Sequence, residues 1–298
     1  MNYSCPLSIF SESQLQHIYE GNLKLVKKEI LLNFQLEDSV TIKLKNKEWD
    51  KNSIIKKIEE IEDNVELHSN IFRNPLLLEF LENGNLDLFD NKKSLDYEVD
   101  EEHYDIIVEM MVKKLDGITA LCVANPGYSN NNKLKMIYEY TETLSPVLQA
   151  QAYQRSYEIV SQKVRKLKSN YHSPYKANST RYFLPEIHKQ VNPAFYAQFL
   201  YLPEHFEYSK RSYGIWCNNV VVAEAFVEGR RLREFDRETL NTIAKAAKIA
   251  SDHYNTNGNL NVVKQINEYL YSEEDSGYRV FFYAILFIIK LAVILSSF

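Results

Sequence analysis

Apolar residues near the N-terminus alternate with polar ones: Ile30, Leu32, Phe34 and Leu36, then, after Glu37-Asp38-Ser39, Val40, Ile42 and Leu44. A period of two predicts a small β-hairpin with one buried face. Further on the period lengthens to that of helices. Asp50 and Asn52 offer N-caps to a segment that carries Ile54, Ile55, Ile58 and Ile61 on one side. In NPLLLEFLENG, Asn74 can cap, Pro75 suits the first helical position, and Gly84 suits the left-handed residue after the last turn.

Residues 85–102 are polar and acidic without a sustained period, which marks a linker or domain edge. Ile106, Ile107, Met110, Met111 and Leu115 then form a helical stripe that Gly117 would close, and ITALCVA beyond it fits a buried strand or a helical turn. Ser145-Pro146 opens a helix of about six turns whose stripe runs through Ala150, Tyr153, Tyr157, Val160, Val164 and Leu167. Fewer than four heptads are present, which favours an internal packing face over a coiled coil.

Residues 170–212, rich in Tyr, His, Asn and Pro, predict irregular or short-helical surface. YGIWCNNVVVAEAFV predicts a hairpin turned at Asn218-Asn219, with a buried helix as the competing reading. Asp236 caps a helix with Leu240, Ile243, Ala247, Ala250 and Tyr254 on one face; after NTNGN, Leu260, Val263, Ile266 and Leu270 continue as another. No repeat recurs at a fixed period. The expectation is a mainly α fold with a minor β-hairpin. It divides into a small α+β region over 1–90, an acidic linker or domain edge over 91–102, and a helical main domain over 103–272. A juxtamembrane linker over 273–279 leads to a transmembrane helix over 280–298.

The last segment, VFFYAILFIIKLAVILSSF, has Lys290 as its only charge. Nineteen helical residues span about 28 Å, close to a hydrocarbon core of about 30 Å. The twelve Leu, Ile, Val and Phe residues from Val280 to Leu295 outweigh one lysine by about 2 kcal/mol on insertion scales, and Lys290 is close enough to the end to reach toward headgroups. Arg279, Tyr278 and Tyr283 suit the near interface, and nothing basic follows the segment. That asymmetry places the N-terminal bulk in the cytoplasm and the chain in the inner (cytoplasmic) membrane as a single-pass protein.

Composition narrows the function. With 35 basic against 40 acidic side chains, the net charge of −5 argues against general affinity for nucleic acid. Cys5, Cys122 and Cys217 lie too far apart for a metal-binding pair and suggest no disulfide framework, which fits a reducing compartment. The N-terminus has no secretory signal pattern, and Cys5 could at most be an S-acylation site.

No phosphate-binding glycine loop, GxSxG, HExxH or paired cysteine motif occurs in the chain. His172, Glu186, His188, Glu204 and His205 supply imidazoles and carboxylates within one loop-rich stretch, so His172, His188 and His205 are the candidate metal ligands of a hydrolase. Their spacing gives no ligand pair on one helix face. Arg230, Arg231 and Arg233 form the densest basic cluster and could contact an anion, although Glu224, Glu228, Glu234 and Asp236 can pair with them. Asp252-His253 at a helix end could act as a general base or simply complement the dipole.

No cofactor is implied. The function expected is that of a membrane-anchored cytoplasmic adaptor or structural subunit of an envelope-associated assembly. Its partners would be other protein subunits, including a membrane subunit with an acidic intramembrane residue facing Lys290, and the lipid bilayer. The alternatives are a membrane-tethered metal-dependent hydrolase and a membrane-perturbing effector with a releasable tail.

Overall fold

In a computed structural model of the chain, the residues described are 3–36, 40–45, 47–90, 101–170, 189–222, 237–254 and 261–266. They are mainly helical, with one two-stranded hairpin. Among them, no helix is long and apolar enough to cross a membrane; the segment 280–298 lies outside the described residues. The acidic stretch 91–100 does too. The chain divides into two compact units, one comprising Met1–Ile118 with Glu139–Ala152, the other Thr119–Tyr138 with Tyr153–Phe298.

The first unit begins with a 3-10 turn over Pro6–Ile9, followed by α1 (Glu12–Tyr19) and α2 (Leu23–Leu36). Ser11 and Gln14 close a reciprocal capping box on α1, with Gln14 N donating to Ser11 Oγ at 3.3 Å and Ser11 N to Gln14 Oε1 at 3.1 Å. Strands β1 (Thr41–Leu44) and β2 (Lys47–Asp50) pair antiparallel with Ile42 opposite Trp49. Then come α3 (Lys51–Asp63), α4 (Val65–Arg73), α5 (Pro75–Asn83) and the short α6 (Asp87–Asp90). The core gathers Leu7, Phe10, Ile18, Val26, Ile30, Ile54, Ile58 and Ile61.

Of the caps expected from the sequence, Asp50, Asn74 and Gly84 form, while Asn52 lies inside α3. Ser53 N donates to Asp50 Oδ1 and Leu77 N to Asn74 Oδ1, both at 3.0 Å, and Gly84 takes φ 76° after α5. The first half of the expected hairpin does not. Ile30 to Leu36 belong to α2, because Leu23, Val26, Ile30 and Phe34 form a buried stripe at helical spacing that outweighs the local alternation. The hairpin lies one element later, turning at Lys45 (φ 42°).

Helix α7 (Glu101–Ala124) gives its first part to this unit and runs through Gly117 without a stop. ITALCVA is its continuation, so the strand alternative falls away. α8 (Tyr128–Thr141) likewise spans the division, and α9 (Pro146–Ala152) completes the first unit. The long helix expected from Ser145-Pro146 is interrupted at Tyr153, where α10 (Gln154–Asn170) starts. Tyr153, Val160, Val164 and Leu167 of its stripe are buried and form an internal face, while Ala150 and Tyr157 are exposed.

The second unit continues with α11 (Pro193–Gln198), 3-10 turns over Phe199–Tyr201 and Glu204–Phe206, α12 (Glu207–Val222), α13 (Arg237–Tyr254) and a helical turn over 261–266. α12 packs along α13 and against α10. No hairpin turns at Asn218-Asn219. Ser209, Ser212, Tyr213, Trp216, Cys217 and Val220 are buried at alternating spacings of three and one, a helical stripe that the β-branched run confined to its last turn does not break. On α13, Leu240, Ile243, Ala247 and Ala250 are buried as expected; Asp236, expected as its cap, lies outside the described residues.

Candidate functional site

In the first unit the first residues of the described chain are tied down by a polar network. A hydrogen bond of 3.0 Å joins Tyr3 Oη and His68 Nδ1, and the His68 ring also bonds the Glu60 backbone. Glu82 Oε1 accepts from Cys5 N at 2.8 Å, and Lys57 Nζ donates to the Ser4 carbonyl at 3.0 Å and to Glu60 Oε2 at 3.1 Å. α3, α4 and α5 each supply one anchor. Burial pushes the Tyr3 hydroxyl and the Cys5 thiol up, with Glu82 adding to both, and pulls the His68 imidazole down. All three are therefore held neutral. A fully buried, protonated Cys5 is neither a nucleophile nor open to S-acylation in this state, since both need an accessible thiolate.

In the second unit an aromatic layer surrounds the start of α11. Asn192 caps it through Phe195 N at 3.1 Å, with Pro193 in the first turn. Tyr213 Oη, from α12, accepts from Asn192 N at 2.9 Å and donates to the Gln190 carbonyl at 2.6 Å. Its ring meets Phe195 edge-on at 5.1 Å and stacks on Trp216 at 5.8 Å. Lys163 Nζ, from α10, sits 3.7 Å from the Phe195 centroid, and burial lowers its pKa. Burial also raises the Cys217 thiol and the Tyr213 hydroxyl, and brings Tyr196 up to about 12, with Asp252 adding to that last shift.

His205, at the rim of this layer, is the one histidine of the candidate metal set among the described residues. Its ring lies 5.5 Å from that of Tyr157 and 4.6 Å from that of Phe206, and burial lowers its pKa. The neighbouring Glu204 is exposed. Among the described residues, no group of three or more His, Cys, Asp or Glu side chains is arranged to hold a metal ion. His172, Glu186, His188, Arg230, Arg231, Arg233, Arg279 and Lys290 lie outside the described residues.

A third feature was hidden in the alternation first read as a strand. α2 is apolar on two opposite sides. Leu23, Val26, Ile30 and Phe34 enter the core, while Leu25, Leu32 and Leu36, about half a turn around the helix, face solvent. Their spacing of seven and four, the signature of one helix face, was the available signal, and the shorter period masked it. In comparisons with known proteins, no family model matches the chain, and no curated protein and no solved structure is significantly similar to it.

Proposed function

We propose that the chain is a helical adaptor of an envelope-associated assembly, held in the cytoplasmic membrane by a single helix over 280–298 with its N-terminal bulk in the cytoplasm. The observation that carries this reading is the tail itself: nineteen residues with one charge, long enough to span the hydrocarbon core. Arg279 sits at the near headgroups and Lys290 faces an acidic side chain in a membrane helix of a partner subunit. Support comes also from the described units, whose thiols and most strongly shifted hydroxyls are buried and held neutral, while apolar side chains remain on outer helix faces. Such surfaces suit docking.

The test is extraction. Full-length protein in its native cells stays in the membrane pellet through alkaline carbonate and is released by detergent. Release by carbonate alone refutes the anchor. Purification in mild detergent then recovers partner subunits, and Lys290→Leu lowers their yield without releasing the chain from the membrane. Undiminished yield removes Lys290 from the contact.

A further inference from the structure

Leu25, Leu32 and Leu36 are 56%, 44% and 81% exposed, and Val40, just beyond the end of α2, is 83% exposed. Single exposed leucines are ordinary on protein surfaces, but here three share one line along a helix whose opposite face is already committed to the core. Lys24 and Lys28, both exposed, run along one flank of that line, and with Lys27 they outnumber Glu29 in the first two turns. Three further lysines, Lys43, Lys45 and Lys47, follow on the exposed positions of the hairpin packed beside α2. Glu48 stands opposite Lys43 across the hairpin, so the clear lysine excess is that of the first two turns of α2, in a chain of net charge −5.

We infer that the outer face of α2 lies on an anionic lipid surface, with the leucines in the headgroup boundary and the lysines at the phosphates. The inference rests on the membrane anchor proposed above. Its composition separates lipid from protein as the occupant. Protein interface cores and hot spots favour Tyr, Trp and Arg and are depleted in Lys, whereas Leu with flanking Lys is what interfacial helices use. Lysine stems lie along the apolar band while their ammonium groups reach the headgroups. Three leucines bind lipid weakly on their own, but a chain already tethered at its tail presents them at high effective concentration.

The experiment uses the full chain carrying Leu36→Cys with a polarity-sensitive thiol dye; the native cysteines Cys5, Cys122 and Cys217 are buried. It is mixed with vesicles of phosphatidylcholine alone or with added phosphatidylglycerol. The expected result is co-sedimentation with both and a blue shift of the dye only with phosphatidylglycerol, reversed by high salt. The double substitution Lys24→Gln and Lys28→Gln, at exposed positions that leave the core alone, lowers the ratio of shielded to exposed dye by about 25-fold, about fivefold per lysine.

Co-sedimentation with the dye still in water overturns the inference and leaves the anchor standing. Failure to co-sediment at all removes the anchor as well. Shielding before any vesicle is added, with a dimer-sized particle, assigns the face to a second copy and also overturns the lipid reading, as does a shift equal on both vesicles and indifferent to salt.

Discussion

Replacing Tyr213 by Phe removes one oxygen from the second unit and leaves the ring where it is. The contacts of that ring with Phe195, Tyr196 and Trp216 survive, so the packing term is near zero. What is lost is the bond donated to the Gln190 carbonyl at 2.6 Å and the one accepted from Asn192 N at 2.9 Å. An orphaned buried partner costs about 1–3 kcal/mol, and the two groups here are only partly buried, so about 2–3 kcal/mol is expected for the pair. At 1.4 kcal/mol per tenfold, local opening becomes about 30- to 150-fold more frequent. Hydrogen exchange of the peptide containing Asn192 reads this directly, because the chain has two units and one global unfolding free energy would blur them. Tyr196→Phe, which leaves the stacked ring in place beside Tyr213, serves as control and changes exchange little. Unchanged protection at Asn192 in Tyr213→Phe, or an equal loss in residues of the first unit, refutes the assignment.

The N-terminal tie makes a pH prediction. His68 is neutral in the fold with its pKa below the ordinary value of about 6.5, so the unfolded segment binds the extra proton first; stability is present above about pH 6.5 and is lost as pH falls through the folded value. Exchange protection of residues 3–10 therefore declines on acidification in that window, and protection independent of pH counts against the Tyr3–His68 bond as the tie. Two glycines test the backbone with opposite signs. Gly117→Ala meets nothing within 4 Å inside α7 and stabilises the chain by about 0.5–1 kcal/mol in urea unfolding. Gly84→Ala puts a side chain at φ 76° and destabilises by about 1 kcal/mol. Gln198→Met deprives the Cys122 carbonyl, near the open end of α7, of its 2.9 Å donor and costs about 1–3 kcal/mol, read as faster exchange in the last turn of α7.

What was legible in the sequence was local punctuation. Asp50, Asn74 with Pro75, and Gly84 act within four residues of their own position, and each does in the structure what its chemistry predicts. Errors arose where two periods coexist. In α2, two leucine faces interleave to imitate alternation, and in α12 a run of β-branched residues at the end imitates a strand although the buried stripe behind it is helical. Gly117 illustrates a different limit: a glycine inside a helix costs about 1 kcal/mol, which the buried Leu115, Thr119 and Ala120 around it outweigh. The polar networks left no local trace. Tyr3 and His68 are sixty-five residues apart, and Gln198 and Cys122 seventy-six, so only the folded chain brings them together.

The same networks bear on where function resides. Cys5, Cys122 and Cys217 are buried with their thiols pushed up, the Tyr3 and Tyr213 hydroxyls are pushed up, and His68 is pulled down. Each shift moves a group away from the charged form that catalysis at neutral pH would use, and burial leads every cause. A catalytic site characteristically pairs a perturbed group with access and an oppositely tuned neighbour; Tyr3, His68 and Tyr213 have hydrogen-bond partners that hold chain segments instead. Among the side chains with no such duty are the outward leucines of α2, and they lie beside lysines on the second helix after the tied N-terminus. If the N-terminal tie were loosened by acid, the 3-10 turn that packs against α3 and α4 would be released, and the support of α2 would fall back on its direct contacts with α1, α3 and β1. Lipid contact by that face should then weaken below about pH 6.5 in step with exchange at residues 3–10, and a dye response that ignores this transition would show that the face and the tie are independent.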